Sequence, residues 1–267
     1  MFKKGTSHMK FTIRDDDLNF FSSPEQIQYW YDDIFEMGIP VGFSAIPFVH
    51  TTSDVYVGEG SPEGEYPIHK NSLLSNYVRS QPLIEVLQHG STHVTNDGVY
   101  EYAQKGNLKD ATHRGIIELE KAFGKKPKVF VPPHDKLGRT GADAIEATDL
   151  NIIRGYEIET RSYFPRPNEL IPFLRMEMHR LLNYRDPNRP SFPYILDFGT
   201  HKEACSYRIE HSTVFKGLEY ASRKNGVFIV VTHLHDFSVE KKEKLKLLIR
   251  RAQELNAEFV YPSNLFE

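Results

Sequence analysis

Leu83-Ile84-Glu85-Val86-Leu87-Gln88-His89-Gly90-Ser91-Thr92-His93 is the stretch on which the reading of the fold turns. Leu83, Ile84, Val86 and Leu87 suit a parallel strand covered on both faces, since such strands carry near-continuous apolar runs. Gly90 lets the backbone turn sharply where that run ends. His89 and His93 then stand four apart across the turn, a spacing that can aim two imidazoles at one point, and imidazole is the commonest ligand of zinc-like ions. For these two residues alone, hydrogen-bonded surface histidines remain the plainer reading.

Upstream, strands and helices alternate. Phe11 and Ile13 alternate with polar residues over 10–17 and then meet Asp15-Asp16-Asp17, where a buried strand is expected to stop. Ser23 can cap a helix with Pro24 at its first position, and Ile27, Trp30, Tyr31 and Ile34 recur at helical spacing until Gly38. Residues 41–48 read as a strand, 49–70 as a long irregular loop of the kind that acts as a lid or binding loop, and about 71–80 as a short helix.

The same pattern continues downstream. Ile116, Leu119, Ala122 and Phe123 make a helix closed by Gly124, and Val129, Phe130 and Val131 a strand ending in Pro132-Pro133-His134-Asp135. A helix over 141–150 and a strand over 151–156 follow. Between Thr160 and Pro193, prolines, aromatics and Arg166, Arg175, Arg180, Arg185 and Arg189 interrupt the repeat. Those arginines can bind an anion, although a solvated insertion is the simpler reading. A strand over 194–198, a helix over 214–224 and the most apolar strand, 226–232, come next, the last running into His233-Leu234-His235-Asp236. Leu245, Leu248, Ile249, Ala252 and Leu255 make a final helix, and Phe259 and Val260 a closing strand.

Seven or eight such units in about 250 residues favour an α/β fold closed into a distorted barrel of parallel strands. One domain over 9–267 is expected, with insertions at about 49–70 and 160–193, while residues 1–8 look like a cloning remnant before a start at Met9. In a barrel the active site lies at the carboxyl ends of the strands. Four strands here end in polar clusters, Asp15-Asp16-Asp17, His89 to His93, His134-Asp135 and His233 to Asp236, and all would meet on one rim. That convergence favours a mononuclear metal site. Two histidines and one carboxylate leave a tetrahedral ion one open position for water, with a second carboxylate as base and a histidine as acid. Serine chemistry is disfavoured, because Ser91 lacks the Gly-x-Ser-x-Gly elbow.

Bulk composition narrows the partners. The chain has 267 residues and a formal charge of −3, so no global basic field recruits nucleic acid, and a small neutral or weakly charged substrate fits better. Cys205 is the only cysteine, which leaves His, Asp and Glu as metal ligands. No apolar run has the length of a membrane span and no secretion signal opens the chain, so a cytoplasmic protein is expected.

With these residues assembled, the chain resembles the polysaccharide deacetylases of the NodB-homology type, carbohydrate esterase family 4, over roughly residues 10–259. By that resemblance Arg14-Asp15-Asp16-Asp17 is similar to the first motif, which implies Asp15 as catalytic base, Asp16 as metal ligand and Asp17 at the substrate. His89 and His93 match the second motif as the other ligands. In the third, Val131 stands where the family carries an arginine that orients the base, with Arg14 or Arg154 as substitutes, and Pro133 and His134 fall at the substrate. Leu234-His235-Asp236 is similar to the fifth, which implies His235 as acid, His233 as the alternative and Leu234 as a substrate contact. Asp197 is the candidate for the fourth. The Arg-Asp-Asp-Asp opening looks more like divergent members associated with surface-polysaccharide synthesis. In a regular strand, however, Asp15 and Asp17 share one face and Asp16 the other, so a strand running one residue further would move the set.

The expectation is therefore a metal-dependent hydrolase that removes an acetyl group from an N-acetylated sugar or oligosaccharide. The alternatives are hydrolysis of another linear or cyclic amide, and an inactive barrel that binds a glycan or sugar nucleotide. One divalent ion is implied. Zinc is preferred on ligand type, and cobalt, nickel or iron would be accepted. Oligomeric state is left open.

Overall fold

The computed structural model describes residues 9–104, 106–155, 163, 165–183 and 192–267. The expected cloning remnant at 1–8, Tyr156 at the end of one expected strand, and Arg185 and Arg189 lie outside the described residues. In chain order the elements are β1 (Lys10–Leu18), α1 (Pro24–Glu36), β2 (Val41–Ala45), β3 (Phe48–His50), β4 (Glu65–Pro67), α2 (Ser72–Ser80) and β5 (Ile84–His89). Then come β6 (Thr95–Asn96), β7 (Val99–Tyr100), α3 (Leu108–Phe123), β8 (Val129–Val131), α4 (Arg139–Glu146), β9 (Asn151–Gly155) and α5 (Leu170–Leu182). The chain closes with β10 (Leu196–Asp197), β11 (Lys202–Arg208), α6 (Val214–Arg223), β12 (Val227–His233), α7 (Val239–Glu254) and β13 (Glu258–Phe259).

Parallel pairing runs β11-β12-β1-β2-β5-β8-β9, and β9 pairs with β11, so seven parallel strands close into a barrel. The expected distorted barrel is borne out. Most of the apolar core lies between the strands and the helices around them, where Phe11, Ile13, Tyr31, Ile34, Phe228 and Val230 are all buried. Each fully buried side chain of this size contributes about 2 kcal/mol. A smaller cluster, including Leu87, Val131, Ile153, Ala204 and Ile229, comes from the opposite face of the same strands and fills the barrel. Alternation thus divides the barrel strands between the two layers, up to the irregular end of β1. No helix among the described residues is long and apolar enough to cross a membrane.

Local chemistry accounts for the boundaries that were expected. Ser23 caps α1 by accepting from the Gln26 N–H, and Gln26 returns the bond to the Ser23 N–H, a capping box with Pro24 just inside it. Several expectations need correction. The first strand continues through the aspartate triplet, because Asp15 and Asp16 each find their own partner on opposite faces. β2 stops at Ala45, and Phe48–His50 folds onto Glu65–Pro67 as a hairpin within the long loop. The helix expected over 141–150 is shifted to Arg139–Glu146. The expected strand over 194–198 is only Leu196–Asp197, antiparallel at an edge, and the barrel strand is β11, which the pattern did not reveal.

Candidate metal centre and active-site cleft

The end of β1 builds one side of the site. Phe11 and Ile13 face the helices, so Asp15, at the same parity, does too. There it accepts hydrogen bonds from Tyr31 Oη and, at 2.7 Å, from Thr232 Oγ1. Burial pushes the Asp15 carboxyl up to about 8, against those bonds. Arg14 and Asp16 take the other parity, into the barrel. Arg14 Nε donates to Asp16 Oδ1 at 2.7 Å, Nη2 donates to Asp16 Oδ2, Nη1 reaches Ser206 Oγ at 3.0 Å and Nη2 reaches Asp135 Oδ1 at 3.0 Å. Burial alone would raise the Asp16 carboxyl, but the charge and hydrogen bonds of Arg14 hold it well below the usual carboxylate range. A register shift against β2 and a left-handed Asp17, φ 72°, then swing Asp17 back towards the mouth, beside Asp16 and not opposite it.

The end of β5 supplies the histidines. Buried Glu101 accepts from the backbone N–H of Ser91, Thr92 and His93, at 3.0, 2.9 and 3.1 Å, and so shapes the turn that holds both imidazoles. Gly90, φ 60°, is required here: a Cβ would lie 2.4 Å from Pro133 Cγ and 2.5 Å from Glu101 Oε2. His89 Nδ1 lies 3.0 Å from the Val131 carbonyl and His93 Nδ1 3.0 Å from Asp54 Oδ1. Carbonyl and carboxylate oxygens only accept, so each Nδ1 carries its proton and each Nε2 presents a lone pair.

Those lone pairs converge on Asp17. Its Oδ1 is 3.3 Å from His89 Nε2 and 3.6 Å from His93 Nε2, longer than a charge-assisted hydrogen bond of about 2.8 Å. Three ligands about 2.05 Å from a tetrahedral ion stand roughly 3.4 Å apart. The two distances to Asp17 are close to that spacing, all three ligand atoms lie within 4.8 Å of one another, and each histidine is backed by an acceptor on its other nitrogen, so the group fits a divalent cation. Burial lowers His89, but the hydrogen bond to Asp17 and the charges of Asp16 and Asp17 outweigh it and raise the pKa.

The rim is strained and acidic. Besides Asp17, the residues His93, His134 and Asp135 have positive φ, 61°, 54° and 57°, a backbone that costs about 1–2 kcal/mol each and clusters at functional sites. Asp54, from the long loop, lies 2.9 Å from His134 Nε2 as well as against His93, and the His93 hydrogen bond holds it down at about 2. A second group of metal-capable atoms, Asp54, His93 and His134, therefore shares His93 with the first. Beside them opens a cleft of about 850 Å³, lined by Asp17, Asp54, Tyr56, Arg208, His233 and His235 among others. His233 sits level with Asp16 on the neighbouring strand and shares the inward parity of Val227 and Ile229. The His235 ring stacks on Tyr56 at 4.8 Å, with Nε2 3.1 Å from Ser22 Oγ, and burial lowers its pKa.

Of the residues singled out in the sequence, His89, His93 and Asp17 come together, with Asp16, His134, His233 and His235 around them. Asp16 does not join the histidines, and Asp15 points out of the barrel altogether. The carboxylate that lies with the histidines is thus Asp17, one residue after the Asp16 expected there, for the reasons of parity and register just given. Leu234 is buried in the outer core and Pro133 packs beneath Gly90, so neither lines the cleft. Asp197 is exposed on the edge strand and accepts from the Gly199 N–H. Arg14, not Arg154, clamps the carboxylate, because Arg154 pairs with Glu203 at 2.9 Å. Glu101, Asp54, Tyr56 and Arg208 were not anticipated. Asp135 was expected on the rim as part of the His134-Asp135 cluster, but not as a partner of Arg14.

No model of a known protein family matches the sequence, and no curated protein matches it. Among solved structures, a CE4 family pseudoenzyme from Bacillus anthracis is 12% identical at a TM-score of 0.53, covering 97% of this chain and 66% of that one, so this chain spans about two thirds of its length. The Xyl-CE4 domain of a multidomain xylanase, from the hindgut metagenome of Trinervitermes trinervoides, is 14% identical at a TM-score of 0.51, covering 97% of this chain and 90% of that one. A peptidoglycan N-acetylglucosamine deacetylase is 10% identical at a TM-score of 0.52, covering 96% and 87%. At such identities the likeness is one of fold. The chain has the NodB-like barrel of the CE4 deacetylases.

Proposed function

We propose that the protein is a metal-dependent deacetylase that hydrolyses the acetamide of an N-acetylated sugar, with Asp17, His89 and His93 as the metal ligands. The observation that carries this reading is the convergence of those three donors directly beside the clamped carboxylate of Asp16. A divalent cation held there would polarise the acetyl carbonyl and make water nucleophilic at neutral pH.

Asp16 is then the base. Arg14 keeps it ionised and fixes its plane through two hydrogen bonds, so it can take the proton of the attacking water as the C–O bond forms. His233 is the acid. It faces inward level with Asp16, whereas the His235 ring is occupied by Ser22 and Tyr56 and serves as a wall of the cleft. Collapse of the tetrahedral intermediate breaks the C–N bond, and the departing nitrogen takes a proton from His233 to leave as an amine. Asp54 and the Val131 carbonyl hold the two ligand imidazoles in the tautomer the site requires. A role in making a surface polysaccharide agrees with the resemblance of the opening motif.

The test is acetate release from N-acetylated mono- and oligosaccharides by protein reconstituted with zinc or cobalt. Release that needs the metal and is lost in Asp16→Asn supports the reading. A metal-loaded wild type that releases no acetate from any of them would leave a binding protein, as one of the similar folds is a pseudoenzyme.

A further inference from the structure

We propose that Arg208 binds an anionic group of the substrate, so that the sugar deacetylated here carries a carboxylate or a phosphate close to its acetamido group. The proposal rests on the deacetylase reading for the reaction, but not for the binding. It departs from the neutral substrate that overall charge suggested.

Alternation on β11 places the side chain. Ala204 belongs to the cluster inside the barrel, and Ser206 Oγ accepts from Arg14 Nη1 at 3.0 Å, so the even positions face inward. Arg208 is the next of these, about 7 Å further towards the mouth. It is exposed, and it lines the same cleft as Asp17, Tyr56 and His233. A group held by Arg208 would therefore stand within about one sugar ring of the carboxylate clamped by Arg14.

Charge accounting in the cleft points the same way. Lys241 pairs with Glu210 at 2.7 Å and with Asp236 at 2.6 Å. Asp54 is taken by His93 and His134, and Asp17 by the donors around it. The side chain of Arg208 has no hydrogen bond or ion pair among the described residues. The acids that could have neutralised it are thus engaged elsewhere, which leaves a guanidinium fork facing the cleft. Carboxylate and phosphate both offer the paired oxygens that such a fork takes bidentately. A hydrogen bond to a charged group of this kind changes affinity by about ten- to a hundredfold.

Calorimetric titration of metal-loaded Asp16→Asn protein, which cannot turn the ligand over, tests this with three sugars: N-acetylglucosamine, its 1-phosphate and an N-acetylated glucosaminuronate. At least one anionic sugar is expected to bind about tenfold or more tightly than the neutral one, and which of them does so tells phosphate from carboxylate. Adding Arg208→Gln should bring that ratio close to one, and Arg208→Lys should restore part of it. Equal affinity for all three sugars, failure of both anionic sugars to bind, or a preference that survives Arg208→Gln would each overturn the proposal. Because the readout is a ratio within one variant, it does not depend on the amount of folded protein. Acetate release without an anionic preference defeats this inference alone, and the preference without acetate release defeats the deacetylase reading alone.

Discussion

Arg14 Nε donates to Asp16 Oδ1 at 2.7 Å from two residues earlier on the same face of the same strand. Val131 occupies the place on β8 from which the resemblance implied an orienting arginine, and the clamp comes instead from β1 itself. Arg14 also ties Asp135 and Ser206 into the network, so three strand ends are fixed by one guanidinium. Replacing it by Met strands two buried carboxylates, and such losses cost about 3–5 kcal/mol. Arg14→Lys keeps the charge but not the fork. Since Arg14 is what holds the Asp16 carboxyl down, its pKa should rise in Arg14→Lys, and the acid limb of kcat/KM should move to higher pH. A limb that stays in place would mean that Asp16 is not the titrating base.

Asp16→Asn should lower kcat by about a hundredfold or more while metal content is unchanged. Asp15→Asn should keep most activity, because Asp15 faces Tyr31 and Thr232 on the far side of the strand. Stability adds a second readout. Burial raises the Asp15 carboxyl from 3.8 to about 8, so the unfolded chain releases this proton at lower pH than the folded one. Between those values rising pH favours unfolding, a slope that Asp15→Asn should flatten in urea titrations at pH 5 and pH 8.

The difference between those two aspartates shows how far the sequence was readable. The histidine pair, the capped first helix and the apolar strands β5, β8 and β12 follow from local spacing, and they appear close to where spacing puts them. The parity of Asp15 was also legible, since Phe11 and Ile13 share it and must face the main core. What hid the register was the assumption that three acids end a strand, when Arg14 and Tyr31 allow it to continue. β11 was invisible for a related reason: Glu203 and Ser206 interrupt its apolar pattern, and they are buried only because Arg154 and Arg14 meet them. Asp54 and Glu101 reach the site from loops, and no spacing rule connects a loop carboxylate to a distant histidine.

His233→Ala should retain metal and cut turnover on an unactivated acetamide by roughly a hundredfold or more, with little loss on an aryl acetate whose leaving group needs no proton. His235→Ala should act mainly on KM, through its stack with Tyr56. A larger amide-specific loss in His235→Ala would return the acid role to that residue.

His179 on α5 gives a test of stability away from the site. Burial, with Lys224 and Arg180 nearby, lowers it from 6.5 to about 4. The unfolded chain therefore takes up the proton first as pH falls, and stability should decline between those two values. In His179→Gln that part of the decline should disappear from thermal melts at pH 4.5 and pH 7.

The central claim is that Asp17, His89 and His93 hold one divalent ion. It is tested most directly by an anomalous-difference map of crystals grown with zinc, collected at the zinc edge. The account predicts a single strong peak about 2.0–2.2 Å from His89 Nε2, His93 Nε2 and an Asp17 carboxylate oxygen, with Asp16 still on Arg14. A peak bound by Asp54 and His134 instead, one that draws Asp16 off Arg14, or no peak at the histidine pair would contradict it.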